Sequence, residues 1–480
     1  MNYRKVFNVL GVMLLCLAVL MLLPIIVAVI YKEDCITSFI AAAALAAALG
    51  GILLLLCKPK REVIYAKDGF AIVALSWIAF SLIGALPFFF SREIPHYIDA
   101  VFETISGFTT TGASILTDIE ALSHATLFWR SFTHWVGGMG VLVFIMALMP
   151  NLSDRSIHIM RAEMPGHVVG KLVPRAKDTA KILYLIYIVM TMVEVILLCA
   201  GGMSFFDSLI HSFGTAGTGG FGIKSDSIAG YSPYCQWVIT VFMFLFGVNF
   251  NVYYLILIRR FKYIFKSEEI WCYTGIVLAS ITVICINIRS MYDTLSESLR
   301  HAAFQVSTII TTTGYSTTDF DLWPDLSKAI LLILMFIGAC SGSTGGGLKV
   351  SRVVILVKMI IKEIRRSIRP RSINTVKFEG KQVDEITLNS VNNYFSLYIL
   401  CFVAMFLLVS FEPFGFESNF SAVVACFNNI GPGFAAVGPT SSFAEYSYFS
   451  KVILGFAMLL GRLEIFPLII TLSPYTWKKK

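Results

Sequence analysis

The sequence predicts an all-α polytopic membrane protein with about ten transmembrane helices, arranged as an N-terminal helix pair followed by four repeats. Three observations support this fold class. Hydrophobic residues make up 57% of the 480-residue chain and charged residues only 14%, whereas an ordinary soluble domain is about 25% charged. The chain also contains many long stretches without charge, and one helix, loop, helix pattern centred on glycine recurs along it.

Ten apolar stretches account for the predicted crossings. Eight contain no Asp, Glu, Lys or Arg and cover residues 6–31, 35–57, 69–91, 131–153, 227–258, 270–288, 329–348 and 386–411. Each reaches or exceeds the roughly 18 to 20 residues that a bilayer-spanning helix requires. Two more are interrupted by isolated charges: residues 182–206 contain Glu194, and residues 452–477 contain Arg462 and Glu464.

The basic residues indicate the orientation. Most Lys and Arg fall at the N-terminus, in 58–67, 155–181, 259–266 and 349–381, and from Arg462 through the tail. These segments share one side when ten helices are threaded in order, and the positive-inside rule makes that side cytoplasmic. We therefore expect cytoplasmic N- and C-termini. The net charge of +8 then reflects topology and contact with membrane lipid, and no nucleic-acid partner is expected.

The repeated unit is an apolar helix, a shorter amphipathic stretch, a Gly-centred loop and a second apolar helix. The loops are TTTGAS at 109–114, GTGGFG at 217–222, TTTGYS at 311–316 and NNIGPG at 428–433, called loops 1 to 4 below. Each preceding stretch has room for only about 10 to 12 helical residues, too few to span a bilayer. The predicted division is an N-terminal helix pair at 1–66 and repeats at 67–153, 154–266, 267–381 and 382–480.

These loops predict one central ion pathway. Irregular backbone at membrane depth must be enclosed by protein or line a watery cavity, because unsatisfied backbone groups in lipid cost several kcal/mol each. Four such loops should therefore meet, and rings of backbone carbonyls are what potassium filters use in place of the ion's hydration shell. One such loop alone would be an ordinary turn, but four aligned copies favour a pore. The predicted potassium-binding residues are Thr110, Thr111, Gly112, Thr218, Gly219, Gly220, Thr312, Thr313, Gly314, Asn429, Ile430 and Gly431.

With the strings SGFTTTGAS, HWVGGMG, NNIGPGF and LLGRLEIFPL, the whole chain resembles the TrkH branch of the Trk/Ktr/HKT potassium transporter superfamily. The extra N-terminal helix pair also resembles that branch. The resemblance implies four fused pore units in a homodimer, regulated by a separate cytosolic nucleotide-binding subunit of the TrkA kind. Loop 2 has no Thr at its first position and loop 4 has Asn428 and Asn429 instead of threonines. Selectivity for potassium over sodium is therefore expected to be imperfect. By the resemblance, Gly112 favours the family members that prefer potassium.

A second motif, CSGSTGGGLK at 340–349, interrupts the second helix of the third repeat. Glycine inside a helix costs about 1 kcal/mol relative to alanine, so the helix should break here. By the resemblance this segment is an intramembrane gate below the filter; the alternative is close helix packing through small residues. The predicted gate residues are Gly342, Ser343, Thr344, Gly345, Gly346, Gly347, Lys349 and Arg462.

Charges inside apolar helices are functional candidates because inserting them is costly. By the resemblance Arg462 faces the pore below the filter, where its charge would oppose a cation. The alternatives are a salt bridge with Glu464 or extension of the side chain to the cytoplasmic face. Glu103 lies in the first short helix and is expected to support loop 1 rather than bind the ion.

The resemblance implies potassium uptake across the bacterial cytoplasmic (inner) membrane by a channel-like subunit driven by the membrane potential. The alternative is a potassium symporter coupled to protons or sodium, but such folds use inverted repeats, whereas these repeats all run in one direction. An enzyme is not expected, because the sequence has no HExxH motif, paired intramembrane aspartates or convincing Ser/His pair. Potassium is the cargo, and no organic cofactor is expected.

Overall fold

The computed structural model describes residues 1–58, 66–140, 176–371 and 374–477. Helices dominate this part, as the composition predicts. In chain order they are α1 (Tyr3–Leu20), α2 (Leu22–Tyr31), α3 (Ile36–Leu56), α4 (Ala66–Gly84), α5 (Leu86–Phe90), α6 (Tyr97–Phe108), α7 (His124–Gly138), α8 (Ala176–Ala200), α9 (Phe205–Gly217), α10 (Pro233–Phe246), α11 (Phe250–Leu257), α12 (Phe261–Ile264), α13 (Glu268–Asn287), α14 (Leu295–Ile310), α15 (Asp325–Phe336), α16 (Val350–Ile368), α17 (Glu385–Val409), α18 (Phe416–Phe427), α19 (Tyr448–Arg462), α20 (Phe466–Leu472) and α21 (Pro474–Trp477). Strands β1 (Lys377–Phe378) and β2 (Lys381–Gln382) form a small antiparallel hairpin.

Six stretches of the described residues are helical, long and apolar enough to cross a membrane, and they are Tyr3–Tyr31, Ile36–Leu56, Lys67–Phe90, Thr179–Ala200, Glu268–Asn287 and Glu385–Val409. Two further pairs, α10 with α11 and α19 with α20, qualify together but bend by 91° and 119°. Of the other predicted crossings, 131–153 runs from α7 into residues outside the described part, and 329–348 is broken between α15 and α16. Much of the basic sequence in 58–67 and 155–181, and the Lys478 to Lys480 tail, also lies outside it.

Four short helices precede loops 1 to 4, and they are α6, α9, α14 and α18. They contain 12, 13, 16 and 12 residues, which makes them about 18 to 24 Å long at 1.5 Å per residue. A bilayer core is about 30 Å thick, so these helices reach only part of the way across. Their final turns are buried around nearly the whole circumference, as in residues 301–310 of α14.

The short helices pack in a cyclic order that sets where the loops lie. Each one contacts the second helix of the preceding repeat: α9 contacts α7, α14 contacts α10, and α18 contacts α15. The first, α6, contacts α19 from the fourth repeat and so closes the ring. The ends of all four short helices are thereby directed toward one centre. The residue numbers at which the four repeats begin and end stay a prediction.

The N-terminal helices pack on the outside of the first repeat, with α1 against α3 and α4 and α2 against α7. The Glu33 carboxylate, just after α2, accepts hydrogen bonds from the backbone N–H groups of His124 at 2.6 Å and Ala125 at 3.0 Å. A carboxylate at the start of a helix satisfies donors that have no intrahelical partner. The first helix pair is thus attached to α7 by a defined cap as well as by apolar packing.

Candidate ion-conduction site

Each loop begins with the same sharp turn out of its short helix. One residue other than glycine adopts the left-handed backbone conformation in every loop, with φ from 55° to 58°, and these residues are Thr110, Thr218, Thr312 and Asn429. Two residues later comes a glycine with φ from 77° to 98°, and these are Gly112, Gly220, Gly314 and Gly431. For an L residue the left-handed conformation costs roughly 1 to 2 kcal/mol. The same local strain is therefore held in four places.

Two backbone hydrogen bonds fix the turn in every loop. The N–H that follows the left-handed residue bonds to the carbonyl five residues earlier, at 2.9, 2.8, 2.8 and 2.8 Å for Thr111, Gly219, Thr313 and Ile430. The left-handed residue itself donates to the carbonyl three residues earlier, at 3.0 to 3.3 Å. This is the Schellman arrangement that commonly ends helices. These N–H groups bond within their own helix, so they do not bond to the neighbouring loops.

The loops contact one another in a closed ring. A Cβ atom built on Gly112 would overlap the carbonyl oxygen of Gly219 in loop 2. The same close approach joins the other loops in order, through the pairs Gly220 and Thr313, Gly314 and Ile430, and Gly431 and Thr111. Each glycine thus lies against the carbonyl of the residue that precedes the next loop's glycine. The structure brings the predicted residues of all four loops together, and only glycine fits at the contact points.

A cavity of 490 Å³ opens on one side of the ring and is bordered by all four of these glycines. Its wall also contains many small and hydroxyl-bearing residues, together with Lys224 and Glu445. On the other side lies a much smaller cavity of 30 Å³, bordered by Gly138, Lys349 and Arg462. The ring therefore separates a wide vestibule from a much smaller space.

Side chains brace the first, third and fourth loops. The Thr109 and Thr111 hydroxyls lie 2.8 Å apart, and the Thr311 and Thr313 hydroxyls of loop 3 repeat this pair at 2.8 Å. In loop 4 the Tyr398 hydroxyl donates to the Asn428 side chain at 2.8 Å. The Asn429 amide donates across the ring to the Thr111 hydroxyl at 2.9 Å and to the Met458 carbonyl at 2.9 Å.

Glu103 acts as a support for loop 1, as expected from its position in α6. Its carboxylate accepts hydrogen bonds from the Ser114 hydroxyl at 2.9 Å and from the Ile115 N–H at 3.0 Å. It also forms an ion pair with Arg130 of α7 at 2.6 Å, and both side chains are buried. Arg130 in turn donates to the Gly222 carbonyl at 2.9 Å. The pair therefore connects the far ends of loops 1 and 2.

The predicted helix break in the third repeat is confirmed, since α15 ends at Phe336 and α16 begins at Val350. We call residues 337–349 between them the glycine-rich segment. Its two ends are joined by a hydrogen bond from the Gly338 N–H to the Leu348 carbonyl at 2.7 Å. Its middle touches loop 3 directly, because the Gly346 N–H donates to the Thr312 hydroxyl at 2.6 Å. The segment thus lies against the beginnings of the loops, opposite the wide vestibule.

Three ionisable side chains hold this segment. Lys349 is buried, and its ammonium donates to the Gly345 carbonyl and, at 3.4 Å, to the Gly346 carbonyl. Arg462 donates to the Thr344 carbonyl at 2.9 Å and to the Gly137 and Gly138 carbonyls at 2.5 and 2.6 Å. It therefore links the segment to the first repeat. Glu464, which the sequence suggested as an alternative salt-bridge partner of Arg462, forms an ion pair with Arg352 at 2.5 Å.

Glu269 of α13 is the third of these side chains. Its carboxylate accepts hydrogen bonds from the backbone N–H groups of Ser341 at 2.6 Å and Ser351 at 3.2 Å. Ser341 belongs to the glycine-rich segment, and Ser351 lies just after it in the first turn of α16. A single carboxylate therefore ties the segment to the start of α16.

Sequence reasoning missed Arg130, His134 and Glu269. Arg130 and Glu269 are charged residues that directly precede predicted spans. Their position could have identified them, since ionisable residues at membrane depth are functional candidates. The ring of His134 contacts loop 2 and is described below. Its only signal was membership of the HWVGGMG string. The predicted potassium-binding residues of loops 1 to 4 and the predicted gate residues at 342–349 all lie in the ring or close to it.

Comparison with known proteins gives consistent matches over the whole chain. Residues 36–479 match the family model TrkH, described as a cation transport protein. The chain is 36% identical over 487 residues to the Trk system potassium uptake protein TrkH of Salmonella typhimurium strain LT2, covering 100% of both chains. It is 34% identical over 483 residues to the Trk system potassium uptake protein TrkG of Escherichia coli strain K12, covering 99% of both.

Among solved structures, the fold matches the crystal structure of the potassium transporter TrkH from Vibrio parahaemolyticus. The TM-score is 0.89 with 32% sequence identity, and all of both chains is covered. The predicted fold class, an all-α polytopic membrane protein, is confirmed by this match. The description of the matching family as transport proteins also confirms that the chain is a transporter and not an enzyme.

Proposed function

This chain belongs to the TrkH family of cation transport proteins, and we propose that it takes up potassium through the ring formed by loops 1 to 4. The observation that carries the proposal is the closed ring of contacts between each loop's glycine and a carbonyl of the next loop. Carbonyl oxygens in such a ring replace the hydration shell of a potassium ion. The names of the relatives, Trk system potassium uptake proteins, support the same cargo.

The ion-binding residues are the left-handed residue, the one after it and the glycine of each loop. The short helices favour a cation at this place, because the C-terminal end of each carries about half a negative charge. The strands are chemically unlike, with Gly219 in loop 2 and Ile430 in loop 4 where loops 1 and 3 have threonine. Potassium is therefore coordinated less evenly than in a symmetric filter, and discrimination against sodium is incomplete.

The glycine-rich segment is the gate. It lies under loop 3 and next to the 30 Å³ cavity, so an ion leaving the ring cannot pass unless the segment moves. Arg462 adds a positive charge at the same place and bonds the segment to the first repeat. Release of the Thr344 carbonyl from Arg462 would free the segment to move out of the path.

The driving force is the membrane potential, which is worth about 2.3 kcal/mol per charge for each 100 mV. The basic segments favour cytoplasmic N- and C-termini by the positive-inside rule. In a bacterial cytoplasmic membrane the vestibule of 490 Å³ would then face outward. A membrane potential negative inside then draws potassium from the vestibule through the ring.

The chain works as the membrane component of a larger system. The relatives carry the name Trk system, and the family resemblance implies a homodimer and a cytosolic nucleotide-binding subunit of the TrkA kind. The basic helix α16 continues directly from the gate. Force applied to its cytoplasmic end by such a subunit would reach the glycine-rich segment through one continuous helix.

A potassium symporter coupled to protons or sodium is the second candidate. Buried Glu194 of α8 favours it, because a carboxyl group at membrane depth whose two oxygens have no hydrogen-bond partner among the described residues could take up a proton. Glu194 touches none of the loop carbonyls named above. The passive route through the ring therefore remains the first candidate.

Flux into proteoliposomes that contain the full chain separates the two candidates. Potassium, rubidium and sodium uptake would be compared under an imposed potential, with no proton or sodium gradient, for the native protein and for Gly112→Ser. Gly275→Ser is the matched control, because a Cβ at Gly275 meets nothing within 4 Å. We expect potential-driven potassium and rubidium flux in the native protein and in Gly275→Ser, and a loss of potassium selectivity or of potassium flux only in Gly112→Ser. Flux that requires a proton or sodium gradient, or that ignores Gly112, would favour the symporter.

A further inference from the structure

Loop 2 lacks the side chains that brace the other loops. At the two positions on either side of its left-handed residue it has Gly217 and Gly219, where loops 1 and 3 have pairs of threonines that bond to each other. The one threonine present, Thr218, bonds its hydroxyl to the adjacent Gly217 carbonyl at 2.6 Å. Loop 2 nevertheless has the same backbone turn as the rest. Something outside the loop must supply the missing support.

The imidazole of His134 fills the vacant space. His134 lies in α7, which belongs to the first repeat, and it is fully buried. A Cβ on Gly219 would overlap the His134 ring, and a Cβ on Gly217 would overlap the His134 carbonyl. The ring also packs on the Phe221 ring of loop 2, with a distance of 4.2 Å between centroids. The two glycines are therefore what lets the histidine approach.

Both ring nitrogens of His134 are used. Nδ1 lies 2.7 Å from the Gly107 carbonyl of α6, and Nε2 lies 3.3 Å from the backbone N–H of Phe221. A carbonyl can only accept and an N–H can only donate, so Nδ1 must carry the proton and Nε2 must be bare. A neutral imidazole in this one tautomer ties the end of the first short helix to the second loop.

We propose that His134 is the positioning residue of loop 2, and that it sets potassium selectivity by supplying from the first repeat the brace that threonine pairs supply in loops 1 and 3. This inference rests on the proposed function, because it assumes that loop 2 contributes to a potassium filter. His134 does not itself contact the ion. It acts by holding Gly219, whose carbonyl lies against Gly112 in the ring.

The mutual exclusion between the imidazole and a side chain at position 219 gives a specific test. Four proteins would be reconstituted and assayed for potassium and sodium flux: the native chain, His134→Ala, Gly219→Ala and the double variant. His134→Ala is expected to lower the potassium-to-sodium flux ratio by about tenfold, through loss of two buried hydrogen bonds. Gly219→Ala is expected to lose most potassium flux. The double variant should regain part of that flux, because the methyl group then enters space that the ring has left.

Controls separate positioning from general damage. His301→Ala removes another buried histidine, whose ring contacts Thr317 and Tyr292 outside loops 1 to 4, and should leave the flux ratio unchanged. If His134→Ala does not fold, His134→Asn gives the same test, since its amide can still donate to Gly107. A folded His134 variant with the native ratio, or a Gly219→Ala defect that is equally severe with and without His134, would overturn the inference. Absence of selective, potential-driven flux in the native chain would instead overturn the proposed function.

Discussion

The ring of loops 1 to 4 and the glycine-rich segment lie in direct contact, yet they are held in opposite ways. Each loop is fixed by backbone hydrogen bonds to its own short helix, within five residues along the chain. The glycine-rich segment is held by the long side chains of Lys349, Arg462 and Glu269. Lys349 belongs to the segment itself, whereas Arg462 comes from α19 and Glu269 from α13. The first region is built locally and four times, while the second is built once from distant parts.

This difference indicates what each region can do. Local backbone bonds repeated in four loops keep a fixed geometry, which a site that discriminates ions by coordination needs. A segment held at a few points by charged side chains can be released by breaking those points, and such segments commonly form two-state elements. We therefore expect substitutions in the ring to change selectivity or stop conduction, and substitutions at the anchors of the segment to raise basal flux.

The largest effect is expected at the Glu103 and Arg130 pair behind the ring. Arg130→Met leaves a buried carboxylate without its partner, and breaking such a pair costs about 3 to 5 kcal/mol. The detergent-solubilised protein should melt at a markedly lower temperature. The double variant Glu103→Leu with Arg130→Met should recover much of the loss, because it leaves no buried charge. A double variant no more stable than Arg130→Met would show that the pair is not what supports the loops.

Alanine at a ring glycine is expected to come next. Gly314→Ala combines a positive φ of 88° with overlap of the Ile430 carbonyl, and strain plus overpacking should reduce potassium flux by about a hundredfold. Proteoliposome flux measures this directly. Gly51→Ala is the control, because a Cβ at Gly51 meets nothing within 4 Å. Native flux from Gly314→Ala would mean that the ring is not the route.

Removal of the Arg462 anchor should have the opposite sign. Arg462→Gln loses charge-assisted hydrogen bonds, each worth about 1.5 to 3 kcal/mol, and removes a positive charge beside the path. Basal potassium flux is expected to rise by about tenfold. Arg289→Gln is the control, since Arg289 is exposed and bonds only locally to the Tyr292 carbonyl in the described structure. Unchanged or lower flux from a folded Arg462→Gln protein would contradict a gating role.

The smallest of these effects is expected at Glu269. Glu269→Ala frees the Ser341 and Ser351 N–H groups and should raise basal flux by roughly threefold, because water can replace part of what is lost. The adjacent Glu268→Ala is a close control: Glu268 pairs with Lys358 at the surface and does not contact the glycine-rich segment. An equal rise in basal flux from the two substitutions would show that the hydrogen bonds of Glu269 do not specifically hold the segment in place.

Sequence reasoning located the ring better than its supports. The four loops could be found because the same pattern recurs, and the turn at each loop follows from bonds within five residues, which sequence encodes directly. The break at residues 340–349 was visible from its glycines. By contrast, contacts such as Arg130 with Gly222 or His134 with Gly219 join residues about 90 apart along the chain. They depend on how repeats pack, which no local pattern reveals. The bend of 91° between α10 and α11 was also missed, although Asn249, which caps α11, was a local signal for a new helix start.

If potassium binds within the ring of carbonyl oxygens, ion density should be found there. Crystals of the native chain grown with rubidium or thallium in place of potassium would be measured for anomalous scattering. We expect peaks on the central axis, surrounded by the carbonyls of Thr111, Gly219, Thr313 and Ile430. An empty ring, or a peak beside buried Glu194 instead, would contradict it.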